Sequence, residues 1–118
     1  MLKKDYIELE KQGEIIPGED YSFIINEVQT LAIEDTEQLH ISEQSYGDSW
    51  RKRGGIGAFM MLARKWDRLE KQVEEHGWDV FSAIKCDERP EGILDDIKDL
   101  RRYLLLVEAH IRTKGKHG

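Results

Sequence analysis

The spacing of the apolar residues is the feature that most constrains the fold of this chain. In three long segments apolar side chains recur every three or four residues, which is the period of one face of an α-helix. Sustained alternation of apolar and polar residues, the pattern of a half-buried strand, is almost absent. Pro17 and Pro90 fall between these segments, where a fixed φ angle and a missing N–H donor suit connections. The pattern therefore predicts an all-α protein.

Polar and glycine-containing stretches set the predicted helix bounds. We expect Asp20 to be the N-cap of the first main helix, which ends near Gln44. A short helix over residues 2 to 11 precedes it, and a loop with room for one helical turn, containing Trp78, Val80 and Phe81, leads to Pro90. The second and third main helices are expected at about 56–76 and 91–112. The predicted apolar stripe of the second consists of Phe59, Leu62, Ala63, Trp66, Leu69 and Val73.

Length and apolar surface predict one domain that associates with copies of itself. The 118 residues have the length of one domain, so we expect a single all-α domain over 1–118, with 1–19 and 113–118 peripheral. Three amphipathic helices bury their stripes best against one another or against a second copy. The apolar surface of the third helix is widened beyond a single stripe by Leu94, Tyr103, Leu105 and Leu106. We therefore expect a helical bundle of three main helices that is completed as a homo-oligomer.

Composition excludes several classes of function. The chain has 24 acidic and 18 basic residues, and the resulting charge of -6 disfavours nonspecific binding to duplex nucleic acid. Its single cysteine, Cys86, cannot form an intrachain disulfide or a cysteine-based zinc site. No secretory segment opens the chain, and no run approaches the roughly 20 apolar residues that span a bilayer. We expect a cytoplasmic protein without a membrane partner.

Two pairs of carboxylates at positions i and i+3 are the most specific feature of the predicted helices. On the second helix Glu70 falls inside the apolar arc and Asp67 lies just off its edge. On the third helix Asp96 and Asp99 lie on one flank, near His110. If the two helices pair, the four carboxylates face one another. Unpaired carboxylates near a core are costly, so we expect either a hard divalent cation or lysine and arginine side chains to meet them.

Ion pairing along each helix is the alternative role for these carboxylates. Helices rich in charge form such pairs routinely, and exposed pairs contribute little to stability. The candidate partners are Arg64, Arg68 and Lys71 for Asp67 and Glu70, and Lys98, Arg101 and Arg102 for Asp95 and Asp99.

A polar segment between the first two main helices is a candidate phosphate site. Basic residues at 51–53 stand before two glycines and a helix start, where backbone N–H groups and the positive end of the helix dipole favour phosphate. Trp50 is a candidate for stacking on a base, and Asp48 for accepting from a base edge or capping the next turn. The alternative is an ordinary turn in which Trp50 covers the core and the basic residues are solvated.

Three motifs in the chain resemble those of a known family. They are Tyr-Gly-Asp-Ser-Trp-Arg at 46–51, Phe-Met-Met-Leu-Ala-Arg-Lys-Trp-Asp-Arg-Leu-Glu at 59–70 and Ile-Leu-Asp-Asp-Ile-Lys-Asp-Leu-Arg-Arg-Tyr at 93–103. Together they resemble the nucleotide-modification-associated domain family of bacteria and phages. The resemblance covers about residues 20–110, and it implies a nucleotide or nucleotide-derived ligand.

The layout is also similar, more distantly, to the all-α MazG-like nucleoside triphosphate pyrophosphatases. Those enzymes hold magnesium against a triphosphate with a Glu-x-x-Glu pair on one helix and a Glu-x-x-Asp pair on a later one. The likeness implies that Asp67, Glu70, Asp96 and Asp99 bind Mg, with Glu70 and Asp96 catalytic. Aspartate replaces glutamate at two of the four positions.

The sequence thus predicts a magnesium-dependent nucleoside triphosphate pyrophosphohydrolase in nucleotide metabolism or base modification. One alternative is a noncatalytic protein that sequesters a nucleotide or nucleotide-derived signal, as in phage counter-defence. Another is a structural helical oligomer. The predicted nucleotide-binding residues are Asp48, Trp50, Arg51, Arg53, Arg64 and Lys65.

Overall fold

A computed structural model describes residues 21–114 of the chain. Within this range the chain is helical and contains no strand, which confirms the all-α prediction. A 3-10 helix at Ser49–Arg51 connects the first two helices. The α-helices of the described range are α1, Tyr21–Tyr46; α2, Gly54–Glu74; α3, Val80–Cys86; and α4, Ile93–Lys114. None of them is long and apolar enough to cross a membrane.

The bounds of the long helices lie close to those predicted, whereas α3 is longer than the one helical turn predicted for its segment. The described bounds of α1, α2 and α4 differ by about two residues from those expected. The predicted cap at Asp20 and the short helix at 2–11 lie outside the described residues. The expected loop around Val80 contains a helix of seven residues, α3. Asp79 starts it as the N-cap, because its carboxylate accepts from the backbone N–H groups of Phe81 and Ser82 at 3.0 and 3.2 Å.

The chain divides into two compact units, residues 1–40 and 41–118. In the first unit, the described part of α1 buries Asp35, which is 1% exposed. Phe23, Val28 and Ile33 of the same helix are each more than half exposed. The second unit holds α2, α3 and α4, and the candidate site lies within it.

In the second unit α2 and α4 pack together as an antiparallel pair. The side-chain contacts between them show this orientation. Residues that come first on the α2 side contact the end of α4, and residues farther along α2 contact earlier positions of α4. The start of α2 consequently lies beside the end of α4. The contacts that define this register are Arg51 with His110, Lys65 with Asp99, and Arg68 with Asp96.

The buried apolar core of the described chain is small. Its buried apolar residues are Ala58 on α2, Ala83 on α3 and Ile93 on α4. The predicted α2 stripe is divided: Leu62, Leu69 and Val73 are half-buried, but Phe59 and Trp66 are 65% and 51% exposed. The prediction that these two aromatic side chains belong to the core is therefore wrong for the described chain. The reason is the rotation of α2, which turns the face of Ala58, Lys65 and Arg68 toward α4.

Asp87 organises the connection from α3 to α4. Its carboxylate accepts from the backbone N–H of Ile93 and, at 2.9 Å, from Nε of Arg89. The Arg89 side chain first, and the Ile93 N–H second, lower the pKa of Asp87 to about 2. A Cβ atom at Gly92 would collide with the same carboxylate, so this approach requires glycine. The first turn of α4 thus depends on a side chain six positions earlier.

Candidate functional site

A cavity of about 530 Å³ lies where α2 begins and α4 ends. Volumes of roughly 300–1,000 Å³ are typical of sites for small molecules. Polar side chains enter it from the 3-10 helix, Trp50 and Arg51, and from α4, His110. The remaining lining is apolar or glycine and consists of Gly54, Gly55, Ala58, Phe59, Leu62, Val107 and Ile111.

Arg51 links the 3-10 helix to α4. Its Nη1 lies 2.8 Å from Nδ1 of His110, and its Nε donates to Oδ2 of Asp48 at 3.1 Å. A guanidinium group only donates hydrogen bonds, so Nδ1 of His110 is the acceptor, and the neutral imidazole carries its proton on Nε2. Arg51 therefore fixes the tautomer of His110, and Asp48 orients Arg51. The predicted capping role of Asp48 is not observed, since this carboxylate makes no capping hydrogen bond to the 3-10 helix.

Trp50 provides the flat surface of the cavity. The guanidinium carbon of Arg51 lies 5.9 Å from the centroid of the Trp50 ring, within the range of a cation–π interaction. The centroids of the Trp50 and His110 rings are 6.0 Å apart, and their planes meet at 89°. A planar ligand can stack on one of two perpendicular rings but not on both. Stacking on the larger Trp50 surface would leave His110 to form hydrogen bonds.

The cavity offers hydrogen-bond donors in an apolar setting. Its polar side chains are the Trp50 indole N–H, the Arg51 guanidinium and the Nε2–H of His110. Among the described residues, no carboxylate lines it. The cavity therefore suits a flat, apolar-faced ligand that carries acceptors or negative charge.

The start of α2 forms part of the lining of the same cavity. Arg53 is the N-cap residue of α2, and its side chain makes no capping hydrogen bond. Gly54 and Gly55 line the cavity, and a Cβ at either position would meet no atom within 4 Å. Gly54 also has a φ of +70°, which favours glycine at this entry to the helix. The side-chain positions of both glycines therefore face open space at this helix start.

The four predicted metal ligands lie farther along the same helix pair. On α4, Asp99 and Asp96 are about three and about four helical turns from His110, or roughly 16 Å and more. Oδ2 of Asp99 lies 2.9 Å from Nζ of Lys65, and Oδ1 of Asp96 lies 3.3 Å from Nε of Arg68. On α2 itself, Glu70 accepts from the indole N–H of Trp66 at 2.8 Å, and Asp67 is exposed.

The chemistry of these carboxylates suits magnesium, and their surroundings in the described chain include two cations. Carboxylate oxygens are preferred Mg²⁺ ligands, and Oδ2 of Asp96 is buried without a hydrogen-bond partner among the described residues. Between residues 21 and 114, however, no three His, Cys, Asp or Glu side chains are grouped to hold a metal ion. Lys65 and Arg68 lie against Asp99 and Asp96 instead. The magnesium site stays a prediction.

Pairing with cationic side chains was the alternative predicted for these carboxylates. Two such partners are observed on the facing helix. Lys65 and Arg68 are on α2, whereas the carboxylates that they meet are on α4. Asp95, for which a partner along the helix was expected, accepts from the backbone N–H of Gly92 at 3.0 Å. Asp96 and Asp99 therefore serve helix pairing, and Asp95 serves the start of α4.

The predicted nucleotide-binding residues do not all meet at the cavity. Trp50 and Arg51 line it, and Asp48 contacts it through Arg51. The remaining three do not line it: Arg53 is the N-cap residue of α2, Arg64 is exposed on that helix, and Lys65 is paired with Asp99.

The neighbours predicted for His110 differ from those in the structure. It was grouped with Asp96 and Asp99, whereas it contacts Arg51 and Trp50, and 59 positions separate it from Arg51. The apolar lining from α4, such as Val107, was not associated with a site. Antiparallel pairing of the last two predicted helices would have indicated this site, because it brings the start of one helix beside the end of the other.

Comparison with known proteins identifies no relative of this chain. No protein-family model matches the chain, and neither a curated protein nor a solved structure matches it. The resemblance to the nucleotide-modification-associated domain family, and the more distant one to the MazG-like enzymes, therefore stay predictions.

Proposed function

We propose that this protein binds a nucleotide in the cavity between the start of α2 and the end of α4, without altering it chemically. The observation that carries the proposal is the arrangement of Trp50, Arg51 and His110 around one cavity. A stacking surface, a cation and a neutral donor are the groups that a base and its phosphate require. A nucleotide-derived signal has the same recognition chemistry.

The base is assigned to Trp50 and the apolar lining. Stacking of a base on an aromatic side chain contributes about 1–3 kcal/mol and tolerates different bases. Trp50 is half-buried, and Leu62, Val107 and Ile111 form the apolar surroundings of the cavity. A base stacked there removes apolar surface from water, which favours binding.

The phosphate is assigned to Arg51 and the start of α2. A guanidinium group has five N–H donors, and the bonds to Asp48 and His110 leave several of them for a ligand. The side chain of Arg51 is 38% exposed, so a ligand can reach it. The first amides of α2 and its dipole favour negative charge at the same place.

Binding without hydrolysis fits the position of the acidic residues. Asp96 and Asp99 are three to four helical turns from His110 and lie against Arg68 and Lys65. These pairs give Asp96 and Asp99 a role in joining α2 to α4. Sequestration of a ligand needs no acidic centre beside its phosphate.

Magnesium-dependent release of pyrophosphate from a nucleoside triphosphate is the second candidate. The observation that favours it is Oδ2 of Asp96, a buried oxygen without a hydrogen-bond partner among the described residues. A buried unpaired acceptor is costly, and a cation at this position would offset the cost. The residues that would hold it are the predicted ones: Asp67, Glu70, Asp96 and Asp99.

One experiment separates the two candidates. The protein is incubated with a panel of nucleoside mono- and triphosphates, with and without magnesium, and calorimetry measures binding while chromatography resolves products. We expect an unaltered ligand to bind without metal and Arg51→Ala to abolish that binding. Arg53→Ala, which removes a neighbouring cation outside the cavity, is the matched control and retains binding.

Other outcomes decide against the proposal. Pyrophosphate released only with magnesium, and lost in both Glu70→Gln and Asp96→Asn, would replace sequestration with the enzyme. Binding that survives Arg51→Ala would place the ligand outside this cavity. Absence of both binding and products across the panel would leave the structural oligomer.

A further inference from the structure

A groove of about 330 Å³ runs between α2 and α4. Its apolar side chains include Leu69 of α2 and Leu100, Leu104 and Leu105 of α4, and its charged side chains are Arg101 and Glu108. Leu104 and Leu105 are 51% and 42% exposed. Among the described residues, the groove shares none of its lining with the proposed ligand cavity. It is therefore a separate feature of the helix pair.

An exposed aromatic side chain of α2 extends the apolar surface of the groove. Trp66 lies three positions before Leu69, so the two side chains are neighbours on one stripe of the helix. Trp66 is 51% exposed, although its apolar spacing is that of a buried position. Large exposed apolar patches on a folded protein mark surfaces that bind a partner. We call the groove together with Trp66 the groove face.

The groove face is large enough for a specific interface. Helices α2 and α4 have 21 and 22 residues. Each is thus about 30 Å long, and two packed helices are about 20 Å wide. One side of the pair then offers about 600 Å², and two such sides offer about 1,200 Å², which exceeds the roughly 1,000 Å² that a specific interface requires.

The two charged residues of the groove are placed symmetrically about its leucines. Arg101 lies three positions before Leu104, and Glu108 lies three positions after Leu105. A two-fold axis perpendicular to α4 at these leucines would bring Arg101 of one copy opposite Glu108 of the other, and the reverse. Parallel pairing of the two α4 helices would instead bring like charges together. The groove is thus complementary to itself in the antiparallel arrangement, as an isologous interface requires.

Glu108 has the capacity for this additional contact. Its carboxylate lies 3.1 Å from Nη2 of Arg112, and the side chains of Arg112 and Glu108 are 78% and 63% exposed. A carboxylate has about four acceptor sites, so one exposed arginine leaves room for a second cation.

We propose that two copies of this chain associate through the groove face, with their α4 helices antiparallel and meeting at Leu104 and Leu105. The leucines and Trp66 supply the apolar centre, and the two contacts between Arg101 and Glu108 fix the register. The self-complementary charges favour a second copy over an unrelated partner. The proposal goes beyond ligand binding, and its test needs no ligand.

Sedimentation equilibrium of the full chain at several concentrations measures this association. We expect a particle of twice 13.8 kDa that dissociates on dilution. A monomer at every concentration would refute self-association.

Two charge reversals test the groove face itself. Arg101→Glu would bring acidic side chains together at both ends of the interface, and Glu108→Arg would bring basic ones together. Each variant alone should dimerise roughly tenfold more weakly or worse, because like charges then oppose each other. An equimolar mixture of the two variants should recover the dimer, since every contact again joins opposite charges. The double variant with both reversals should also dimerise by itself.

A control variant and helix content complete the experiment. Arg64→Glu makes the same charge change at an exposed position of α2 outside the groove, and it should leave the dissociation constant unchanged. Circular dichroism of dilute samples shows whether each variant keeps its helices. A dimer that survives both single reversals would place the contact on another surface. Folded variants whose mixture stays monomeric would refute the antiparallel pairing. If a single variant unfolds, the double variant decides, because a monomeric double variant refutes the same pairing.

Discussion

Nη1 of Arg51 lies 2.8 Å from Nδ1 of His110, although 59 positions separate the two residues in the chain. The bond joins the 3-10 helix to the last turns of α4 and forms one wall of the cavity. It also leaves the proton of the neutral imidazole on Nε2, because a guanidinium cannot accept. Structure and recognition are therefore coupled at this contact.

Trp50→Ala should weaken nucleotide binding through loss of the stacking surface. A stacked base contributes about 1–3 kcal/mol, so we expect affinity to fall roughly 5- to 150-fold. Calorimetric titration measures the change. Trp66→Ala removes an equally large side chain that is 51% exposed and does not line the cavity, and it should leave affinity unchanged. Equal losses in the two variants would contradict a stacking role for Trp50.

Arg68→Ala should destabilise the α2–α4 pair. Asp96 is 1% exposed, and loss of its cation leaves a buried charge poorly compensated. We expect the free energy of unfolding to fall by about 1–3 kcal/mol, measured by urea denaturation. Arg64→Ala, at an exposed position of the same helix, should change it by less than about 0.5 kcal/mol. A stable Arg68→Ala protein would show that Asp96 finds another partner.

Acid should weaken the fold through Asp87. The pKa of this carboxyl is lowered from 3.8 to about 2 by Arg89 and the Ile93 N–H, so folding favours its charged form. Its contribution to stability is therefore present above about pH 4 and is lost as the pH falls through about 2. Asp87→Asn should have a lower melting temperature near neutral pH and should lose less stability over that acid range. Identical acid profiles for the two proteins would contradict this assignment.

Gly92→Ala should disrupt the start of α4. The added Cβ would collide with the Asp87 carboxylate and displace it from the N–H of Ile93. We expect a lower melting temperature and an acid profile like that of Asp87→Asn. Gly55→Ala, where a Cβ has open space in the first turn of α2, is the control and should not lower the melting temperature. A Gly92→Ala protein that melts like the original would mean that the loop adapts.

Ile93→Ala should show how much the small core contributes. Ile93 is 1% exposed, and truncation of a buried isoleucine typically costs about 2–5 kcal/mol. The neighbouring Leu94 is 54% exposed, so Leu94→Ala should cost much less. Denaturant unfolding of the two variants compares them directly. Equal costs would indicate that Leu94 is buried in solution, as the predicted homo-oligomer would require.

Helix positions followed from the sequence because apolar periodicity and breaking residues act locally. The bounds of α2 and α4 were predictable to about two residues from their apolar spacing and from Pro90. Helix α3 was underestimated, because seven residues carry too short a pattern and the cap at Asp79 was not recognised. The exposure of Trp66 was missed for another reason, since the rotation of α2 depends on its neighbour.

The sequence by itself determined that this chain is helical, where its long helices run and which segment carries Trp50 and Arg51. Tertiary structure decided what those residues do. It placed His110 against Arg51 and turned Asp96 and Asp99 toward Arg68 and Lys65. Helical periodicity is encoded within a few residues, whereas contacts between helices depend on their register and rotation. Those are set by the packing of whole helix surfaces, including residues far apart in the chain.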